Sequence, residues 1–416
     1  MKYKLRKFAF RYPRSILLMV GALILVTACT PAGTASHVPV SPSPLPTVTP
    51  ASIPCTLLHV EGTQIAALGA QFEGIGHISG PAAAPVTIIV FSDYQCPSCA
   101  FLAGSLKQIR LAHPDDLRMI SLQAPQTGRD KDTLAIQAAE AAHLQEKFWE
   151  MNDLLFEKLN EWTALPPADF ETWAAGQATG LGLDASRFKS DFESSAVADK
   201  VQKALQFTQS AQAFTTPLLF VNSASPYTGL ADFASLDMVV RLEALTARQF
   251  SVCPARSIDP LKQTLATLHT LKGDVVLELY PDQAPLAVNS FVFLARQGWY
   301  DGITFYRVTS NGVVMTGDPS ETGLGNPGYL FQTEIASGLS FDKPGVVALD
   351  NNGPDTNSSR FFITLASQPD MDGQYTIFGQ VLSGLDVLAA LSAREPQPGI
   401  ALPPGDALIS VTIAER

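Results

Sequence analysis

The sequence predicts two domains in tandem, an α/β layered fold with a helical insertion followed by a mainly-β barrel. Three observations carry that expectation. The first part alternates buried-strand runs with helical periodicity. The second part is cut into short strands by regular turn residues. The length, 416 residues, exceeds what a single core usually serves, and a hydrophobic content of 46% is ample for two cores.

In the first part, Val86 to Phe91 (VTIIVF) is a continuous β-branched apolar run, the pattern of a strand buried on both faces. A helix is expected to open at Pro97, because proline suits the first helical position. Leu117 to Leu122 reads as a second strand. Ile136 to Leu159 reads as one unbroken helix, with apolar residues at helical spacing. Further helical segments run to about Gln212, Pro217 to Val221 (PLLFV) returns as a strand, and Asp232 to Leu245 closes with a helix. Such alternation is the grammar of an α/β fold.

After about residue 260 the runs LKGDVVLELY, GITFYRV, PGVVALD, RFFITL, QYTIFGQV and DALISVTI are separated by Gly, Pro, Asn and Asp. Turn signals at that spacing predict a closed antiparallel barrel or sandwich, here interrupted by helices near Leu286–Gln297 and Leu385–Ser392. The seam between the two rhythms lies near Ser251 to Pro260.

The N-terminus carries six basic residues (Lys2, Lys4, Arg6, Lys7, Arg11, Arg14) and no acid before the apolar run Ile16 to Val26. That is the n-region and h-region of an export signal, too short for a comfortable span of roughly 20 apolar residues. It ends in Val26-Thr27-Ala28-Cys29, which resembles the lipobox of bacterial lipoproteins; the resemblance implies lipidation at Cys29. The alternative is an uncleaved anchor helix. Either reading puts the rest of the chain outside the cytoplasm, and the first puts it on the outer face of a bacterial cell membrane, held by lipid. Residues 30–54 are rich in Pro, Ser and Thr without apolar periodicity, the composition of a stiff tether. The expected layout is therefore leader 1–29, tether 30–54, first domain 55–255 and second domain 262–416. The formal charge of −11 becomes −17 once the six leader cations are removed. So acidic a body offers nothing to a phosphate backbone, which excludes nucleic acid as the expected partner.

The stretch FSDYQCPSC, Phe91 to Cys99, places two cysteines directly after a strand and at a helix start. Backbone N–H groups and the helix dipole stabilise a thiolate at Cys96. Cys99 lies one turn on, placed to resolve a mixed disulfide formed there. A structural zinc site wants four ligands, and no second C-x-x-C pair exists, so no metal is expected. Inert core cysteines are the plainer alternative. FSDYQCPSC, with AAEAAHLQEKFWEMNDLLFE and FTTPLLFVNS in that order, resembles the DsbA-like branch of the thioredoxin superfamily over about residues 80–247. The resemblance implies that Cys96 attacks, that Cys99 resolves, that Thr216-Pro217 is the cis-proline edge where substrate docks, and that the redox-active pair needs no added cofactor. Of the other cysteines, Cys55 and Cys253 bracket this domain. In an oxidising compartment such a leftover pair is expected to form a structural disulfide tying the domain's ends together, with two unpaired thiols as the alternative.

In the second part YDGITFYRV, NNGPDTNSSRFFITL and MDGQYTIFGQV resemble the signature motifs of the cyclophilin family of peptidyl-prolyl isomerases, over about residues 266–416. The chemistry needs little. Rotation about an X–Pro bond is opposed by amide resonance, and a cation or donor on the twisted amide, beside an apolar pocket for the ring, lowers that barrier without a covalent step. The resemblance implies Arg307 as the catalytic cation. It implies Phe362 as the pocket aromatic, with Phe305, Val313, Met315, Leu349, Met371 and Tyr375 completing the substrate site. The chain departs from the family where Gly312 stands for a pocket Phe and Met315 for a glutamine. Asp350, Arg360 and Asp370 are also unusual for the groove.

Together these readings predict an extracytoplasmic folding factor that joins thiol–disulfide exchange to prolyl isomerisation. Its expected partners are unfolded or partly folded exported proteins, an unidentified redox partner, and the membrane through the lipid. The runner-up is a thiol–disulfide oxidoreductase whose second half is a weakly active or inactive proline-peptide binding module.

Overall fold

The computed structural model describes residues 52–58, 72, 74–126, 128–210, 215–223, 225–395 and 403–416. The leader, Cys29 and most of the tether lie outside the described residues.

The first half is built on a four-stranded sheet of order β2-β4-β3-β5, with β2 at His77–Ser79, β3 at Val86–Ser92, β4 at Leu117–Gln123 and β5 at Leu218–Val221. β3 and β4 run parallel, and β2 and β5 flank them antiparallel. Every residue of β3 is buried, as its unbroken apolar run requires. The crossover from β3 to β4 is helix α1, Pro97–Ala112, with proline in its first turn. A helical layer follows, in which the span Ile136 to Leu159, expected to hold one helix, is split between α2 (Asp132–His143) and α3 (Phe148–Glu157), with α4 (Leu159–Thr163) beginning at its last residue. The break has a tertiary cause. Glu146 takes a left-handed φ of 62°, which turns the chain so that the Phe148 ring stacks on His77 at 3.4 Å between centroids. Packing overrides a helical propensity that carries no breaker residue. A last helix, α5 at Phe233–Leu245, packs beside α1 on the face of the sheet that carries Val86, Ile88 and Val90, and is capped by Asp232, whose carboxylate accepts from Ser235 N at 3.0 Å.

The second half is a nine-stranded antiparallel sheet. Its strands are β6 (Thr264–Thr270), β7 (Gly273–Leu279), β8 (Ile303–Thr304), β9 (Arg307–Val308), β10 (Val313–Thr316), β12 (Val346–Leu349), β13 (Phe361–Thr364), β14 (Ile377–Ser383) and β15 (Ala407–Glu415). The order is β8-β15-β6-β7-β14-β12-β13-β10-β9. The two edge strands are separated in sequence only by Phe305 and Tyr306, so the sheet curls strongly, but they do not pair, and the expected closed barrel is a curled half-barrel. Its interior holds Val314, Val347, Phe361 and Ile363, with Phe291 from the helix Pro285–Arg296.

The short strand β1 (Thr56–Leu57) pairs not with the first half but with β11 (Tyr329–Leu330) in the second. Cys55 and Cys253 are joined in a disulfide, and both strands it ties lie against the barrel half: Ile53 belongs to the barrel core, and Cys55, Phe250 and Ile258 pack on it. Phe250 N donates to Pro327 O at 2.8 Å. Gly328 permits that approach, since a Cβ there would lie 2.5 Å from Phe250 O. The cross-link thus gathers both ends of the first domain onto the second. Arg248 stacks over Trp299 at 5.4 Å, and Arg241 of α5 reaches Glu321 at 3.9 Å.

Candidate active sites

The first site is made where β3 ends. Asp93 O accepts from Cys96 N at 3.1 Å, closing a turn, and Cys96 then serves as the N-cap of α1. Its sulfur accepts from Cys99 N at 3.3 Å, lies 3.4 Å from Ser98 Oγ and 3.7 Å from Thr216 O. Thr216-Pro217 is a cis peptide. The sequence-predicted residues Cys96, Cys99, Thr216 and Pro217 therefore meet at one point. Burial raises the Cys96 thiol, but its hydrogen bonds with the Cys99 thiol, Ser98, the Cys99 N–H and Thr216 together bring it below the ordinary thiol range. Cys99 is wholly buried; burial, followed by its bond to Cys96, pushes it up to about 12. The surroundings thus make Cys96 the more acidic and Cys99 the less acidic thiol of the pair.

The second site is a row across the curled sheet. Arg307 lies opposite Met315, Met315 opposite Phe362, Phe362 opposite Ala348, and Ala348 opposite Ile377. Because residues directly opposite share a face, these five present one surface. Val313, Phe341, Val346, Phe362 and Ile377 form a cluster there, with Met315, Leu339, Met371 and Tyr375 packed at its rim. The Arg307 guanidinium is exposed and makes no hydrogen bond to a described residue, although it feels the charges of Asp350 and Glu395.

Two residues expected in the pocket lie elsewhere. Leu349 follows Ala348 on β12 and so points to the opposite face, into the barrel core, and Phe305 is buried in that same core. Sequence reading also missed Phe341, which stacks on Phe362 at 5.8 Å and meets Tyr375 edge-on. Its loop is latched by Phe341 N donating to Asp372 Oδ1 at 2.7 Å and Gln368 N donating to Phe341 O at 2.7 Å. The one available signal was a large aromatic stranded among the turn residues of LSFDKPG.

The expected loss of an aromatic wall at Gly312 also has a backbone cause. Gly312 has φ +83° and closes a tight turn, its N–H donating to Thr309 O at 3.1 Å. Arg360, 4% exposed, pairs with Asp350 at 3.3 Å and donates to Asn352 Oδ1 at 3.2 Å. Burial raises the Asp350 carboxyl, against the pull of Arg360 and Arg307.

A strand–dithiol–helix unit facing a cis proline defines a thioredoxin-like domain, and an arginine heading an aromatic-walled row on a curled antiparallel sheet defines a prolyl-isomerase domain. The comparisons with known proteins divide the chain in the same way. Residues 73–239 match a family model described as "Thioredoxin", and residues 265–406 match one described as "Cyclophilin type peptidyl-prolyl cis-trans isomerase/CLD". The chain is 45% identical over 125 residues to "Peptidyl-prolyl cis-trans isomerase 10" of Caenorhabditis elegans, covering 29% of this chain and 78% of that protein. It is 46% identical over 123 residues to "Peptidyl-prolyl cis-trans isomerase ppi1" of Schizosaccharomyces pombe, covering 29% and 79%. It is 40% identical over 145 residues to "Probable peptidyl-prolyl cis-trans isomerase A" of Mycobacterium bovis, covering 31% and 80%. Through its second half the chain belongs to the cyclophilin family.

Proposed function

We propose that the protein is an extracytoplasmic folding factor in which the first half exchanges disulfides and the second isomerises X–Pro bonds of the same class of client, exported chains not yet folded. In the first half, the Cys96 thiolate attacks a client disulfide; the Cys96–client bond forms as the client S–S bond breaks, and the departing client thiolate takes up a proton. Cys99, after losing its proton, attacks Cys96 and releases the client's second thiol. Run in reverse, with a redox partner that reoxidises the pair, the same atoms donate a disulfide. The contrast between a stabilised Cys96 and a suppressed Cys99 supports this reading.

In the second half, Arg307 donates to the twisted proline amide while the Phe362, Phe341 and Tyr375 rings hold the proline. Both steps are slow without help, taking seconds to hours. The lipid anchor at Cys29 would hold both activities at the membrane's outer face.

The test assays the intact chain and two variants for both activities. Cys96→Ser is expected to abolish exchange and leave isomerisation unchanged. Arg307→Ala is expected to slow isomerisation by about 10²–10³-fold, the usual cost of removing one transition-state donor, with exchange intact. Isomerisation unaffected in Arg307→Ala would overturn the second assignment, and exchange persisting in Cys96→Ser the first. Radiolabelled lipid retained by the wild type and absent from Cys29→Ala would support the anchor.

A further inference from the structure

Around the residue that precedes Cys96 the structure holds a cluster of charged groups that the exchange reaction, as described, does not use. The N–H and both side-chain polar atoms of Gln95 are held. Its N–H donates to both Asp93 Oδ1 at 2.8 Å and Asp132 Oδ1 at 3.2 Å; its Oε1 accepts from Lys131 N at 2.8 Å; its Nε2 donates to Asp130 Oδ1 at 3.0 Å. Asp93 is otherwise well served, accepting from Arg129 Nη1 at 2.8 Å and Gln126 N at 3.0 Å. Asp132 is not. It is 3% exposed, and its Oδ2 is buried without a partner.

We infer that Asp132, at the start of α2, is a positioning residue for Cys96: it shares a proton with Asp93, and that proton closes the helical insertion onto the turn that carries the nucleophile. The inference rests on the thiol–disulfide reading above. Two ionised carboxylates converging on one N–H, out of water, would repel each other. A proton on the pair converts the idle Oδ2 into a donor towards Asp93. Burial, then the Asp93 charge and its hydrogen bond, push the Asp132 carboxyl up to about 8, against Arg129. The other charged groups facing the pair are Asp130 and Lys131, which neutralise each other at 2.8 Å, and the two thiols of α1. Because Asp93 O also accepts from Cys96 N, displacing Asp93 moves the N-cap on which the thiolate depends.

The experiment uses the intact reduced protein and follows three readouts against pH: thiolate absorbance of Cys96, the exchange rate with a small aromatic disulfide, and the infrared C=O band of a protonated carboxylic acid. In wild type, the exchange rate corrected for thiolate fraction should fall several-fold as pH rises through about 8. Asp132→Asn, which retains an acceptor and a donor, should show no such fall and should lack the carboxylic band present in wild type at neutral pH. Asp132→Ala should raise the titration midpoint of Cys96. Identical alkaline profiles in wild type and Asp132→Asn, or no wild-type band, would overturn the inference whether or not Asp132→Ala folds. Absence of exchange at every pH would instead refute the thiol–disulfide reading, and the infrared band would still decide the shared proton.

Discussion

The two sites solve opposite problems. At the dithiol, the groups that touch the two sulfurs come from a few contiguous residues and one distant peptide: a strand end, a turn, a helix start and the cis-proline segment. Both cysteines are buried, at 4% and 0% exposure. At the isomerase row nothing is contiguous; five strands each supply one residue, and the cation stands exposed. The reason lies in the chemistry. Covalent exchange requires neighbouring thiols with opposite proton affinities, which only a helix terminus and burial set at close range. Isomerisation requires a donor beside an apolar wall, and many side chains can make a wall. The dithiol motif is intact, while the groove carries Gly312 and Met315 where the resemblance implies Phe and Gln.

The disulfide offers the largest test of how separate the halves are. It closes a loop with a sequence separation of 198, for which chain entropy gives roughly 5 kcal/mol, a figure that measured cross-links often fail to reach. The double variant Cys55→Ser/Cys253→Ser should lose several kcal/mol in denaturant unfolding yet retain both activities in the folded protein at room temperature. Loss of isomerisation alone in that variant would mean that the row depends on the linker docked behind it, and the contrast between local and distributed sites would need redrawing.

A smaller effect separates the halves by pH. His77 Nε2 lies 2.8 Å from Glu140 Oε1, pinning β2 to the insertion. Burial raises Glu140, but His77, Lys200 and His143 carry it below the ordinary carboxylate value. Its stabilisation is therefore fully present above the unfolded carboxyl pKa, about 4.3, and is lost as pH falls through the lower folded value. In the barrel, burial raises Glu334 despite N–H donors from Leu286 and Ala287, so protonation in acid relieves its desolvation and favours the folded barrel even as those N–H bonds weaken. Hydrogen exchange should show β2 and α2 opening in acid before the barrel, and Glu140→Gln should remove the pH dependence of that opening. A barrel that opens first, or an unchanged Glu140→Gln profile, would break the assignment.

Legibility followed the same divide. The dithiol, its helix and its strand could be read because each is written in consecutive residues. The row was reached only through resemblance, and two of its expected members were misplaced. VVAL on β12 is apolar on both faces, so no alternation reveals that Ala348 points to the groove and Leu349 to the core. The break at Glu146 was hidden because its cause, the seat of Phe148 on His77, lies 71 positions away in sequence. The docking of β1 onto β11 was hidden for the same reason: two-residue strands carry no period.

The smallest predicted effect bears on the groove positions Gly312 and Met315. Restoring the aromatic at Gly312 is a poor experiment, since φ +83° would strain any side chain, by about 1–2 kcal/mol, and Phe341 already supplies a wall. Met315 is the better position. It sits between Arg307 and Phe362 in the row, where a polar side chain would reach substrate backbone without altering the turn. Met315→Gln should raise turnover on a proline peptide by about 2- to 10-fold, the value of one net hydrogen bond of about 0.5–1.5 kcal/mol, with exchange at Cys96 unchanged. A fall in turnover would show instead that the wall's apolar contact outweighs a polar anchor here, and that the groove has settled on a different way of holding its peptide.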